Sequence, residues 1–153
     1  MLKIMFVCHG NICRSTMAEF VMKDMINKAG LSDKVYIASS ATSREEIGNP
    51  VHYGTRNKLR EVGISTEGKY AVQLTKSDYS KYDCIIGMDG YNIRNILHIT
   101  GGDPDGKVSK LLDLTFGRDI ADPWYTGDFD ETYDDVMEGC SALLKKIQEK
   151  IDK

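Results

Sequence analysis

The sequence predicts an α/β fold: a single-domain three-layer sandwich in which a four-stranded parallel sheet is flanked by helices. Three observations carry that expectation. Short apolar runs alternate with longer amphipathic stretches along the whole chain, the pattern of strands joined by right-handed helical crossovers. The chain has 153 residues, 41% of them hydrophobic and 28% charged, which is enough to bury one core. No internal repeat, low-complexity tract or linker divides it, so one domain is expected over 1–153.

In chain order, "KIMFV" (3–7) reads as a buried strand and "STMAEFVMKDMINKAG" (15–30) as a helix, with Met17, Phe20, Val21, Met25 and Ile26 near a helical repeat and Gly30 as its stop. "KVYIAS" (34–39) is a second strand, followed by a loop and a helix over 52–63 that ends at Gly63. "DCIIGMD" (83–89) is a third strand, "YNIRNILHIT" (91–100) a helix and "GGDPDG" a turn cluster. "VSKLLDL" (108–114) reads as a fourth strand. The last helix runs from about Asp130 to Ile151, with Val136, Cys140, Leu143, Leu144 and Ile147 on its buried side.

Composition excludes several function classes. A formal charge of −3 lacks the basic face that general nucleic-acid binding needs. No window approaches the roughly 18 apolar residues of a membrane span, and "MLKIMFV" is too short for a signal peptide, so a cytoplasmic location is expected. The four cysteines, Cys8, Cys13, Cys84 and Cys140, are therefore expected as thiols rather than a disulfide framework. Metal binding is not expected. Cys8 and Cys13 lack metal-ligand spacing, and His9, His52 and His98 are scattered.

The chemistry concentrates in "VCHGNICRS" (7–15). A strand that turns directly into a helix aims backbone N–H groups and the positive end of the helix dipole into the loop between them, which suits an anion. A phosphate-binding loop after the first strand follows. Gly10 allows close backbone approach, Asn11 tolerates a left-handed conformation, and Arg14 offers a planar fork for two phosphate oxygens. Ser15 is placed as the cap of the helix. The amides, Arg14 and the Ser15 hydroxyl all favour a thiolate at Cys8, which would stand below the phosphate for in-line attack. Neither G-x-G-x-x-G nor G-K-[ST] is present, so dinucleotide and nucleotide P-loop functions are excluded.

Phosphoryl transfer to sulfur needs a proton for the leaving oxygen. "DIADPWYTG" supplies a candidate donor, Asp122, stiffened by Pro123 and followed by two aromatic rings, Trp124 and Tyr125. A carboxyl beside aromatic rings suits an aryl substrate. A plain Asp-Pro turn would have the same local sequence, and only the first motif tips the balance.

These residues resemble the low-molecular-weight protein tyrosine phosphatase family. "VCHGNICRS" and "ADPWY" both match, and the intervening elements follow in the family's order over nearly the whole chain. The resemblance implies that Cys8 forms a phosphocysteine, that Arg14 binds phosphate together with His9, Gly10, Asn11, Ile12, Cys13 and Ser15, and that Asp122 is general acid and then base. It implies that Asn11 and Ser15 support the loop, that Ser39 buttresses the asparagine, and that Trp124 and Tyr125 line the cleft. Cys13 matches a second cysteine that forms a reversible disulfide with the nucleophile under oxidants. Expected partners are phosphotyrosine proteins or peptides, with inorganic phosphate and other oxyanions as product or inhibitors. No cofactor, nucleic acid or membrane is implied.

Two departures from the family are visible. "STEGKYAVQLT" offers Gly68 or Lys69 and Val72 where the family has a histidine and an arginine. Glu45 stands where many members carry an aromatic ring, and Tyr53 is the candidate to replace that part of the wall. Ile12 favours phosphotyrosine, because members resembling protein arginine phosphatases usually have threonine there. The alternatives are an arginine phosphatase, a thiol-dependent arsenate reductase of the same fold, and a non-catalytic phosphate-binding module.

Overall fold

The computed structural model describes residues 1–151. Strand β1 (Leu2–Cys8) pairs in parallel with β2 (Val35–Ala41) on one side and with β3 (Cys84–Gly87) on the other, and β3 pairs with β4 (Val108–Lys110). The order is therefore β2-β1-β3-β4. The chain leaves β1 in one direction to reach β2 and returns past β1 to reach β3. That reversal opens a crevice beyond the carboxyl end of β1, where ligands sit in open parallel sheets.

The period-two alternation of β1 divides the core. Ile4, Phe6 and Cys8 join the cluster beneath helices α1 (Arg14–Lys28) and α6 (Phe129–Ile151), whereas Met5 and Val7 join Leu74, Tyr79, Ile85 and Ile96 on the opposite face. Helix α6 buries Val136, Cys140, Leu143 and Ile147, the spacing its sequence announces. Helix α2 spans Tyr53–Glu61, α3 Asp78–Lys81, α4 Gly90–Thr100 and α5 Pro123–Thr126. No helix among the described residues is long and apolar enough to cross a membrane.

The structure corrects the sequence in a few places. The fourth strand ends at Lys110, and Leu111–Leu114 forms a 3₁₀ turn. A strand would send Leu111 and Leu112 to opposite faces, yet both are buried in the same cluster under α6. A tight turn, closed by Asp113 accepting the Lys110 N–H, places both inward. The short helices α3 and α5 are each a single turn, below the length at which periodicity is readable. Ser15 lies inside α1 rather than capping it: Cys13 occupies the cap position with no side-chain hydrogen bond, and the Ser15 hydroxyl is used elsewhere.

Gly139 lets the 3₁₀ turn press against α6, because a Cβ there would lie 2.4 Å from Leu111 Cγ. Overpacking costs about 1–3 kcal/mol, against a gain of roughly 1 kcal/mol in helix propensity for alanine. Gly139→Ala is expected to lower the midpoint of urea unfolding. An unchanged or raised midpoint would show that Leu111 yields without cost.

Candidate active site

The loop between β1 and α1 turns its carbonyls outward. Cys8 O accepts from Thr42 N (2.9 Å), His9 O from Ser43 N (3.0 Å), Ile12 O from His52 N (2.9 Å) and Cys13 O from the Thr55 hydroxyl (3.2 Å). With these oxygens satisfied from outside, the loop's amides are free to face inward, over the sulfur. The N–H groups of Asn11 and Ser15 lie 3.3 and 3.4 Å from Cys8 Sγ, and Ser15 Oγ lies 3.0 Å from it.

Asn11 is the only non-glycine among the described residues with positive φ, +59°. Its side chain offsets that strain. Nδ2 donates to Ser15 Oγ (2.8 Å) and to Ser39 Oγ (2.9 Å), and Oδ1 accepts from Val72 N (3.1 Å). Asn11, Ser15 and Ser39 are buried behind the loop, so their side chains support it rather than line the cleft. The family arginine's position, Val72, thus contributes its main chain.

Arg14 is 3% exposed. Its Nη1 donates to Asp89 Oδ2 (2.6 Å) and to Ile120 O (2.9 Å), and its Nη2 to Asp122 Oδ2 (3.4 Å). Burial opposes its charge, but Cys8, Asp89 and Asp122 outweigh burial and raise its pKa. Asp122 Oδ1 accepts from Trp124 N (3.0 Å), so both carboxylate oxygens are held at the cleft. Asp89 escaped the sequence analysis because it reads as the end of a strand. It caps α4, its Oδ1 accepting from Asn92 N at 2.7 Å, and the Asp-Gly pair opening a helix was the available signal.

Cys8, His9, Gly10, Ile12, Cys13, Arg14, Glu45, Glu46, Asp122, Trp124 and Tyr125 line one small cleft of about 110 Å³. Trp124 and Tyr125 stand exposed at its rim. His9 Nε2 and Glu45 Oε2 are 3.0 Å apart on the opposite lip. Tyr53 does not line the cleft. It opens α2 and stacks on His52 (4.4 Å), which stacks in turn on Phe129 (5.4 Å) and meets the edge of Trp124 (5.6 Å). His52, not Tyr53, therefore backs the aromatic wall. A larger groove of about 560 Å³ beside Arg56 and Arg60 contains no cysteine or aspartate.

Cys13 is buried beside Cys8, and its thiol is pushed up to about 12, first by burial and then by the charges of Cys8 and Asp122. Both cysteines are free. Cys140 is wholly buried in the core and Cys84 begins β3; burial raises both thiols. Among the described residues no group of three or more His, Cys, Asp or Glu side chains is placed to hold a metal ion.

The sequence model of the low molecular weight phosphotyrosine protein phosphatases matches residues 3–153. The chain belongs to that family. It is 40% identical to the low molecular weight protein-tyrosine-phosphatase YfkJ of Bacillus subtilis, covering 98% of both chains, and 35% identical to the mouse low molecular weight phosphotyrosine protein phosphatase, covering 94% of both. The crystal structure of YfkJ superposes with a TM-score of 0.95 over 98% of this chain and 96% of that one. The low molecular weight protein tyrosine phosphatase SP-PTP from Streptococcus pyogenes superposes with a TM-score of 0.88 at 41% identity, covering 99% and 98%.

Within this phosphatase scaffold burial keeps the proton on the Cys13 thiol. Iodoacetamide at neutral pH is expected to modify Cys8 and to spare Cys13, whose proton burial retains. Peptide mass mapping of the folded protein reads the outcome, and equal labelling would remove the distinction.

Proposed function

We propose that this family member hydrolyses phosphotyrosine and other aryl phosphate monoesters through a phosphocysteine. The carrying observation is Cys8 Sγ beneath inward-facing amides, with Arg14 bonded to Asp122 across the same cleft. In the first step the Cys8 thiolate attacks phosphorus, the bond from phosphorus to the aryl oxygen breaks, and Asp122 gives its proton to the leaving phenolate. In the second, Asp122 takes a proton from water, the water oxygen bonds to phosphorus, and the sulfur–phosphorus bond breaks to release inorganic phosphate. The loop amides and Arg14 hold the charge that gathers on the phosphoryl oxygens in both steps. No metal takes part in these steps.

The substrates we propose are phosphotyrosine proteins and peptides. Ile12 supports this choice over phosphoarginine: it lines the cleft with an apolar surface that suits a phenyl ring. The arsenate-reductase alternative finds no support in the cysteines. Cys84 pairs with Ile4, four residues and roughly 13 Å along the strand from Cys8, and Cys140 is sealed in the core.

Cys8→Ser is expected to abolish phosphate release from a phosphotyrosine peptide measured in chelator and reductant. Asp122→Asn is expected to slow release from phosphotyrosine by roughly 10²–10⁴-fold and to slow p-nitrophenyl phosphate, whose leaving group needs less help, far less. An equal loss for both substrates would remove Asp122 as acid, and release from a phosphoarginine peptide alone would replace the substrate class.

Cys13 has a separate proposed role. Peroxide converts the Cys8 thiolate to a sulfenic acid, and Cys13 sulfur then displaces its oxygen as water to form a disulfide that thiols reverse. Peroxide inactivation should be largely reversed by dithiothreitol in wild type and much less in Cys13→Ala. Equal recovery would exclude the disulfide.

A further inference from the structure

Behind the phosphate loop lies a buried carboxylate that the catalytic steps above do not use. Glu19, on α1, is 3% exposed. It accepts from the Ser39 hydroxyl through Oε1 and from Lys23 Nζ through Oε2. Lys69 Nζ donates to the Ser39 carbonyl at 2.9 Å and lies 3.4 Å from Glu19 Oε1, the oxygen that the Ser39 hydroxyl also reaches. Lys69 therefore clamps both ends of the contact between Ser39 and Glu19.

The donors and acceptors in this chain have one consistent direction. Asn11 Oδ1 is committed to the Val72 N–H, so Nδ2 faces both serines and can only donate. Ser39 accepts from Asn11 and sends its single proton to Glu19. Ser15 also accepts from Asn11, which leaves its proton for Cys8 Sγ at 3.0 Å. An ionised Glu19 accepts only, and every link is satisfied.

We propose that Lys69 is a positioning residue: its ammonium, held between Ser39 O and Glu19, fastens the hydrogen-bond chain that ends on Cys8 and sets a positive charge behind the sulfur. The proposal rests on Cys8 being the nucleophile. Two cations face Glu19, and they are not equivalent. The Lys23 side chain is 47% exposed and screened by water, whereas Lys69 is 14% exposed and acts through protein. The Tyr82 phenol, which feels the charge of Glu19, stays neutral, pushed up to about 12 by burial and then by Tyr36, Asp78 and other neighbours including Glu19. Tyr36, Asp78 and Lys81 border the cavity of about 500 Å³ that Glu19 and Lys69 also line. Burial lowers the Lys69 pKa, while Glu19 and Cys8 both favour its ammonium, which is the coupling the chain requires.

The test is the pH dependence of Cys8 carboxymethylation by iodoacetate, with turnover of p-nitrophenyl phosphate measured in parallel, on wild type, Lys69→Met and Lys69→Arg. In Lys69→Met the alkylation profile is expected to move about one pH unit higher, and kcat to fall about tenfold, the rate equivalent of that shift. KM should change less than twofold, because the loop amides and Arg14 are untouched. Lys69→Arg should restore both readouts. Where Lys69→Met does not fold, Lys69→Gln, which keeps a donor for Ser39 O without the charge, carries the same expectation. An unmoved profile in a folded neutral variant, or an arginine variant as impaired as the methionine one, overturns the proposal. Absence of turnover in wild type alongside a shifted profile would instead overturn the phosphatase function and leave the role of Lys69 standing.

Discussion

The site depends on one residue held in an unfavourable backbone conformation. Asn11 at φ +59° reverses the loop so that successive N–H groups converge on Cys8 Sγ, and most side chains resist that region. Its three side-chain hydrogen bonds, to Ser15, Ser39 and Val72, come from α1, β2 and the segment after α2, so three separate parts of the fold hold one dihedral angle. Glycine would adopt the angle more cheaply but would supply none of these bonds. The conformation and its support are thus one requirement, and asparagine meets both. Because three protein groups hold the angle, anion binding need not reorganise the loop.

Arg14 is prepared differently. Its contact with Asp89 at 2.6 Å and with Ile120 O at 2.9 Å fixes the guanidinium from one side, while its contact with Asp122 is long at 3.4 Å. An entering phosphate competes only with the weakest of the three. Releasing Asp122 from Arg14 also frees one carboxylate oxygen at the place where the proposed mechanism needs a proton donor. Trp124 N continues to hold the other oxygen, so the carboxyl stays oriented while its partner changes.

What was legible in the sequence was local. Strand β1, the loop and α1 occupy one continuous stretch, and their apolar run, Gly-Asn pair and arginine interact with the backbone a few residues away. The partners of that stretch were not legible, because they arrive from far along the chain: Asp89 and Ile120 stand 75 and 106 residues from Arg14. Glu19 sits among apolar positions of α1 as an ordinary helix former, and only the approach of Lys69 and Ser39 makes it a buried charge. Ser15 reads as a cap from its position, but the sulfur of Cys8 and the amide of Asn11 compete for its hydroxyl and win. Tyr53 fails for the same reason, since a neighbouring histidine takes its ring face.

The exposed aromatics at the rim fit this division of labour. A phosphate recognised only by amides and an arginine would need no apolar surface, and water would solvate a polar rim more favourably. Trp124 and Tyr125 nevertheless remain 57% and 83% exposed, held over the cleft by the single turn of α5 that Asp122 caps. Apolar surface left open beside a charge-binding pocket is recovered only when a ligand covers it, at about 25 cal/mol per Å². An aryl phosphate would meet both demands under the proposed function, with its charged end in the 110 Å³ cleft and its ring toward the tryptophan and tyrosine. Because Asp122, the proposed acid, also caps the turn that carries the aromatic pair, one short element would serve both ring recognition and proton transfer.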